Sequence, residues 1–172
     1  MKQFICLCAV LALLLGVPAV SALDVVTTTS VLWDPVSQMG GDAGNGVYIA
    51  DPTICPHLQG DILPNLIQQN AEALEKPDLF LAHNNTMDLA TMAAVAKFRD
   101  SNGYGKTTWK ILKPDTEWNT PETAEALADT VLDWLKAADP SNAKTFEENA
   151  ESYKEAIATA GAISPEEKEI LA

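Results

Sequence analysis

Apolar and polar positions along this chain follow two rhythms. Short runs rich in β-branched and other apolar residues alternate with longer stretches in which apolar residues recur every three or four positions. The first rhythm suits strands buried on both faces, and the second suits helices with one buried side. Asp24 to Thr29 reads as a first strand, and Trp33, Val36 and Met39 follow at helical spacing until Gly40-Gly41 stops them. Val47 to Ala50 reads as a second strand. Asp61 can cap a helix carrying Ile62, Leu66, Ala71 and Leu74, which Pro77 brings to an end. Leu79 to Ala82 is a third strand. Leu89, Met92, Ala93 and Ala96 mark the next helix, closed by Asn102-Gly103, and Thr107 to Leu112, interrupted by Lys110 and bounded by Pro114, supplies a fourth strand.

The second half of the chain is helical in pattern. Thr120-Pro121-Glu122 combines a capping hydroxyl, a proline at the first helical position and an acidic first turn, and Leu127, Val131, Trp134 and Leu135 give that helix a buried face. Asp139-Pro140 repeats the start signal. Ala143, Phe146, Ala150, Tyr153 and Ile157 then continue at helical spacing to Gly161, and Ser164-Pro165-Glu166-Glu167 begins a further helix. Strands separated by helices give an α/β class: a mostly parallel four-stranded sheet flanked by helices, followed by a long amphipathic linker helix.

The amino terminus changes the accounting. Lys2, the apolar run from Phe4 to Val17 and the small residues of Val20-Ser21-Ala22 form a secretory signal peptide over residues 1–22, so the exported product is expected to begin at Leu23. The competing reading, an uncleaved anchor, is opposed by Pro18, Ser21 and Asp24, which end the run short of the roughly 20 residues a span needs. Cys6 and Cys8 leave with the signal, and Cys55 remains alone, without a disulfide partner. With 11 basic against 24 acidic residues and a net charge of -13, the chain lacks the positive surface that nucleic acid or an anionic lipid surface requires.

In an open parallel sheet, ligands gather beyond the carboxyl ends of the strands. Thr29-Ser30 follows the first strand; Cys55, His57 and Asp61 follow the second; His83-Asn84-Asn85 ends the third; Asp115, Thr116 and Glu117 follow the fourth. Both histidines of the chain therefore fall at one sheet edge, where imidazole, thiolate and carboxylate together suit zinc and related ions. Each residue also has an ordinary reading. His57 and His83 suit loop or strand-end hydrogen bonds, Cys55 suits a small buried position, and Asp115 and Glu117 suit solvated or capping positions. A thiol-dependent hydrolase with Cys55 as nucleophile and His57 or His83 as base is a further alternative, but it lacks an identifiable orienting group.

Several segments in order resemble the amino-terminal lobe of the zinc and manganese solute-binding proteins of ABC importers, the cluster with a rigid helix between two lobes. They are Val25-Val26-Thr27-Thr28-Thr29-Ser30-Val31-Leu32 with Gly40-Gly41-Asp42; Ala50-Asp51-Pro52 leading to Pro56-His57; Pro77-Asp78-Leu79-Phe80; and Asp139-Pro140-Ser141-Asn142-Ala143 with Asn149-Ala150-Glu151-Ser152-Tyr153. The resemblance implies an α/β lobe over 23–139, a long backbone helix over 140–160, and the start of a truncated second lobe over 161–172. It makes His57 the match for the family's first metal histidine, although an insertion alters the usual spacing. Thr116 stands where the second histidine precedes Trp118, and the remaining ligands belong to the other lobe.

The implied protein is not an enzyme. It is an exported, periplasmic or cell-surface component that holds a divalent transition metal, zinc or manganese, weakly through an incomplete site. His57 leads that site, with His83, Cys55 and Glu117 as candidate additions. Its implied partners are an ABC permease and a separately encoded second lobe, with no membrane contact beyond the signal. A lobe that has lost metal binding and serves only as a scaffold is the alternative that Thr116 and the acidic surface support.

Overall fold

The computed structural model describes residues 22–50 and 56–161, with side chains from residue 60 onward in the second stretch. The signal peptide before Ala22, Cys55 and the helix start at Ser164 lie outside the described residues. Four strands, β1 (Leu23–Thr27), β2 (Gly44–Tyr48), β3 (Leu79–Ala82) and β4 (Trp109–Ile111), form one all-parallel sheet in the order β2-β1-β3-β4. Five helices connect and cover it: α1 (Ser30–Gly40), α2 (Pro56–Gln69), α3 (Thr86–Ser101), α4 (Pro121–Ala138) and α5 (Ala143–Ala160). The class and the parallel sheet expected from the alternating pattern are what the chain adopts.

Strand alternation divides the core into two layers, because successive side chains of a strand face opposite sides. Leu23 and Val25 of β1 and Leu79 and Leu81 of β3 point to one side. There they meet Leu32, Val36 and Met39 of α1, Leu127, Val131 and Leu135 of α4, and Phe146 and Ala150 of α5. Val26 and Phe80 point to the other side, against Leu63 and Ile67 of α2, Leu74, and Val95 of α3. In the last turn of α3, Arg99 is buried, and among the described residues no carboxylate pairs with it. Its guanidinium donates to the carbonyls of Leu74, Glu75 and Tyr104 and lies 5.0 Å from the Phe80 ring centroid. Loss of water around it lowers its pKa from the ordinary arginine value.

Element boundaries differ from the expectation where pairing overrides local character. β2 begins at Gly44 rather than Val47, because its Gly44-Asn45-Gly46 start pairs in register with Leu23, Asp24 and Val25. Ile49 and Ala50 still run beside β1, their N–H groups donating to the carbonyls of Thr27 and Thr28 at 3.1 and 2.8 Å. A Cβ at Gly44 would lie 2.9 Å from Gly40 Cα, so the sharp return from α1 into β2 needs glycine there. Helix α2 begins at Pro56, five residues before the expected cap at Asp61. β4 contracts to Trp109–Ile111, although Leu112 N–H still reaches the Ala82 carbonyl at 3.0 Å.

The long helix forms as its spacing predicts, after a 3-10 turn at Pro140–Asn142. Asp139 organises that turn. It accepts from Ser141 and Asn142, and the Ser141 hydroxyl in particular holds its carboxyl below the usual aspartate value. α5 returns to the first helix. Asn149 Nδ2 donates to the Met39 carbonyl at 3.0 Å, and the Tyr153 hydroxyl donates to Asp34 Oδ2 at 2.6 Å. Tyr153 and Ile157 of α5 are both partly buried.

Candidate metal centre

The carboxyl edge of the sheet is held together by one carboxylate. Asp88, in the first turn of α3, is 0% exposed. Its Oδ1 accepts from the Thr28 hydroxyl at the end of β1 and from the His83 backbone N–H, 3.3 Å away, at the end of β3. Its Oδ2 accepts from Asn85 N–H at 3.4 Å, while Asp88 N–H donates to Asn85 Oδ1 at 3.0 Å, completing a capping box at the α3 start. Two strand ends and one helix start are thereby fixed to each other. The sequence pattern had not singled out Asp88, but Asn85 and Asp88 stand at capping-box spacing, and that signal was available.

His83 occupies the first position after β3 and is 6% exposed. The loop after β4 lies over it. His83 Nε2 is 2.8 Å from the Thr116 carbonyl oxygen, and the Trp118 ring meets the imidazole edge-on with centroids 4.4 Å apart. A carbonyl only accepts, so Nε2 carries a proton, and in the neutral form of the ring the lone pair is then at Nδ1. That Nδ1 is buried and has no hydrogen-bond partner among the described residues, and the Thr29 hydroxyl just after β1 is in the same condition. Trp118 itself is 43% exposed, one of three large apolar side chains left open among the described residues, with Leu89 and Ile111.

The other expected residues are distributed as follows. His57 is the second residue of α2, so its backbone stands in the first turn of that helix, after β2; its side chain lies outside the described residues, as does the whole of Cys55. Glu117 is exposed in the loop that crosses His83. Asp115 is also exposed and holds a left-handed backbone at φ 63. Thr116 turns its hydroxyl inward on its own loop, donating to the Lys113 carbonyl at 2.8 Å. Among the described residues no three His, Cys, Asp or Glu side chains come together as a metal cluster. The structure thus joins His83 to the 116–118 loop and to Asp88. It leaves Glu117 in solvent.

Comparison with known proteins gives the frame for this edge. The family described as ZnuA, zinc-uptake complex component A periplasmic, matches residues 25–163. The Zn(II)-bound ZnuA-like domain of AdcA from Streptococcus pneumoniae is similar at 24% identity and a TM-score of 0.57, over 81% of this chain and 53% of that one. A Mn-bound periplasmic metal binding protein from candidatus liberibacter asiaticus is similar at 20% identity and a TM-score of 0.58, over 76% and 51%. The metal-dependent lipoprotein YcdH from Bacillus subtilis is similar at 19% identity and a TM-score of 0.57, over 78% and 52%. At these identities the likeness carries the fold. The chain spans about half the length of these three structures.

Proposed function

Since the chain belongs to the ZnuA family of periplasmic zinc-uptake components, we propose that it is an exported metal-handling lobe of an ABC importer, taking a divalent transition metal such as zinc or manganese as cargo. The observation that carries this reading is the family match over residues 25–163; in its sheet β1 lies between β2, the strand that precedes α2, and β3, the strand that His83 follows. His57 is the leading ligand in this reading, and His83, Cys55 and Glu117 are the candidates to join it. Zinc takes four ligands, or three with one open position, so a lobe with so few donors holds its cargo weakly.

The partners that go with this role are an ABC permease and a second lobe, the solved relatives being about twice as long as the matched region. The place of work is periplasmic or extracellular. No helix among the described residues is long and apolar enough to cross a membrane. The family is a transport component rather than an enzyme family. In domain terms, residues 1–22 are the signal, 23–139 the lobe, 140–160 the backbone helix and 161–172 the entry to the second lobe.

Calorimetric titration of zinc and manganese into the wild-type protein and His57→Ala tests the proposal. The expected result is weak saturable binding that falls by about tenfold or more in the variant, as when one ligand of a sparse site is lost. Equal affinities in both proteins would remove His57 from the site. Absence of saturable binding in the wild type would favour the scaffold reading, which is in keeping with Thr116 standing where the family has its second histidine, its hydroxyl donating to the Lys113 carbonyl.

A further inference from the structure

The orphan nitrogen of His83 calls for a physical explanation. A buried polar atom without a partner costs about 1–3 kcal/mol, and native proteins tolerate few of them without a ligand, ion or water to satisfy them. Everything else about this ring is fixed. Its backbone N–H is on Asp88, its Nε2–H is on the Thr116 carbonyl at 2.8 Å, and its edge is against Trp118. Imidazoles that coordinate metals through one nitrogen almost always donate the other N–H to a carboxylate or backbone carbonyl, which fixes the tautomer and aims the lone pair. His83 has that arrangement with the roles assigned: Nε2 anchored, Nδ1 free.

We propose that His83 is a cargo ligand coordinating through Nδ1, and that the Thr116 carbonyl and Trp118 are the residues that position it. The inference rests on the reading that this lobe takes a divalent transition metal, and deepens it by naming a second imidazole and the atom it uses. In the binding step the Nδ1 lone pair replaces one water of the hydrated ion. Nε2 keeps its proton and its bond to Thr116 throughout. The loop after β4 thereby contributes to the site through a main-chain oxygen and an aromatic face, and the imidazole comes from β3.

Zinc(II) alone, titrated into 15N-labelled wild-type protein and followed by long-range 15N–1H spectra of the imidazoles, tests the assignment. Before zinc, His83 is expected to show a protonated Nε2 and an unprotonated Nδ1. At saturation Nδ1 is expected to move upfield out of the free-acceptor region while Nε2 stays protonated. Parallel calorimetry on His83→Gln, with circular dichroism as the check on folding, is expected to show zinc affinity about tenfold or more below wild type. An unchanged Nδ1 resonance at zinc saturation overturns the proposal, as does a folded His83→Gln that binds like wild type. In either case, loss of binding in His57→Ala leaves the metal-lobe reading standing. If the wild type takes up no zinc, that reading falls and this inference falls with it. Should His83→Gln fail to fold, the wild-type spectra decide.

Discussion

Replacement of Asp88 by alanine removes the carboxylate that joins β1, β3 and α3, and the structure sets the size of the effect. Three donors lose their acceptor: the Thr28 hydroxyl, the His83 N–H and the Asn85 N–H. Asn85 is exposed, so water replaces its bond, whereas Thr28 and His83 are buried. Two buried donors left unpaired, at about 1–3 kcal/mol each, give a loss of about 3–4 kcal/mol after partial relaxation. That is a large part of the roughly 5–15 kcal/mol that holds a domain folded. Asp88→Asn keeps an acceptor at Oδ1 for the buried pair and sets an amide against only the exposed donor, so its cost is about 1 kcal/mol. Urea unfolding followed by circular dichroism distinguishes the two. With a slope of about 1–3 kcal/mol per molar, the alanine midpoint falls by about 1–4 M and the asparagine midpoint by under about 1 M, with unchanged slopes. An alanine variant within about 1 kcal/mol of wild type, or an asparagine variant as damaged as alanine, would refute the account of Asp88 as the fastening of this edge.

Two further consequences can be measured on the body of the lobe. Phe146 of α5 is fully buried in the core layer that α5 shares with α1 and α4, and Phe146→Ala is expected to cost about 3–5 kcal/mol by lost transfer energy and cavity formation, read as a lower urea midpoint. Burial and the bond to Asp34 push the Tyr153 hydroxyl well above the ordinary tyrosine range. The unfolded chain therefore releases this proton near pH 10 while the folded chain retains it, and stability falls as pH rises through that range. Tyr153→Phe is expected to flatten that alkaline limb in unfolding curves measured between pH 9 and about 11; an unaltered limb would count against the assignment.

The apolar pattern made most of the fold legible, and the exceptions share a cause. β3 falls on Leu79–Ala82, and α4 starts at Pro121 after Thr120, as the run and the start signal indicate, because these segments carry their own burial and caps. β2 begins in Gly44-Asn45-Gly46, residues with little intrinsic strand preference; only pairing with Leu23, Asp24 and Val25 makes them a strand. The start of α2 was hidden behind Asp61, a good cap in isolation, although Pro56 is itself a favoured first helical residue. At the sheet edge, the chain order located His83 and the 116–118 loop. It did not disclose that Thr116 would serve through its carbonyl, since a main-chain contact leaves no mark on residue identity. Nor did it disclose Asp88, whose partners Thr28 and His83 are 60 and 5 positions away.

The contact between α1 and α5 sets a timetable for folding. Met39 and Asn149 are 110 positions apart, and Asp34 and Tyr153 are 119 apart. Closing loops of that length costs about 2 kcal/mol more in chain entropy than closing one of roughly ten residues. One layer of the sheet waits for Phe146 and Ala150, so the apolar side of α1 stays open until nearly the whole described chain has been delivered. The opposite layer is built from α2 and α3 and can close earlier. A polypeptide emerging amino terminus first therefore leaves this layer without the Phe146 and Ala150 contacts until α5 has been delivered.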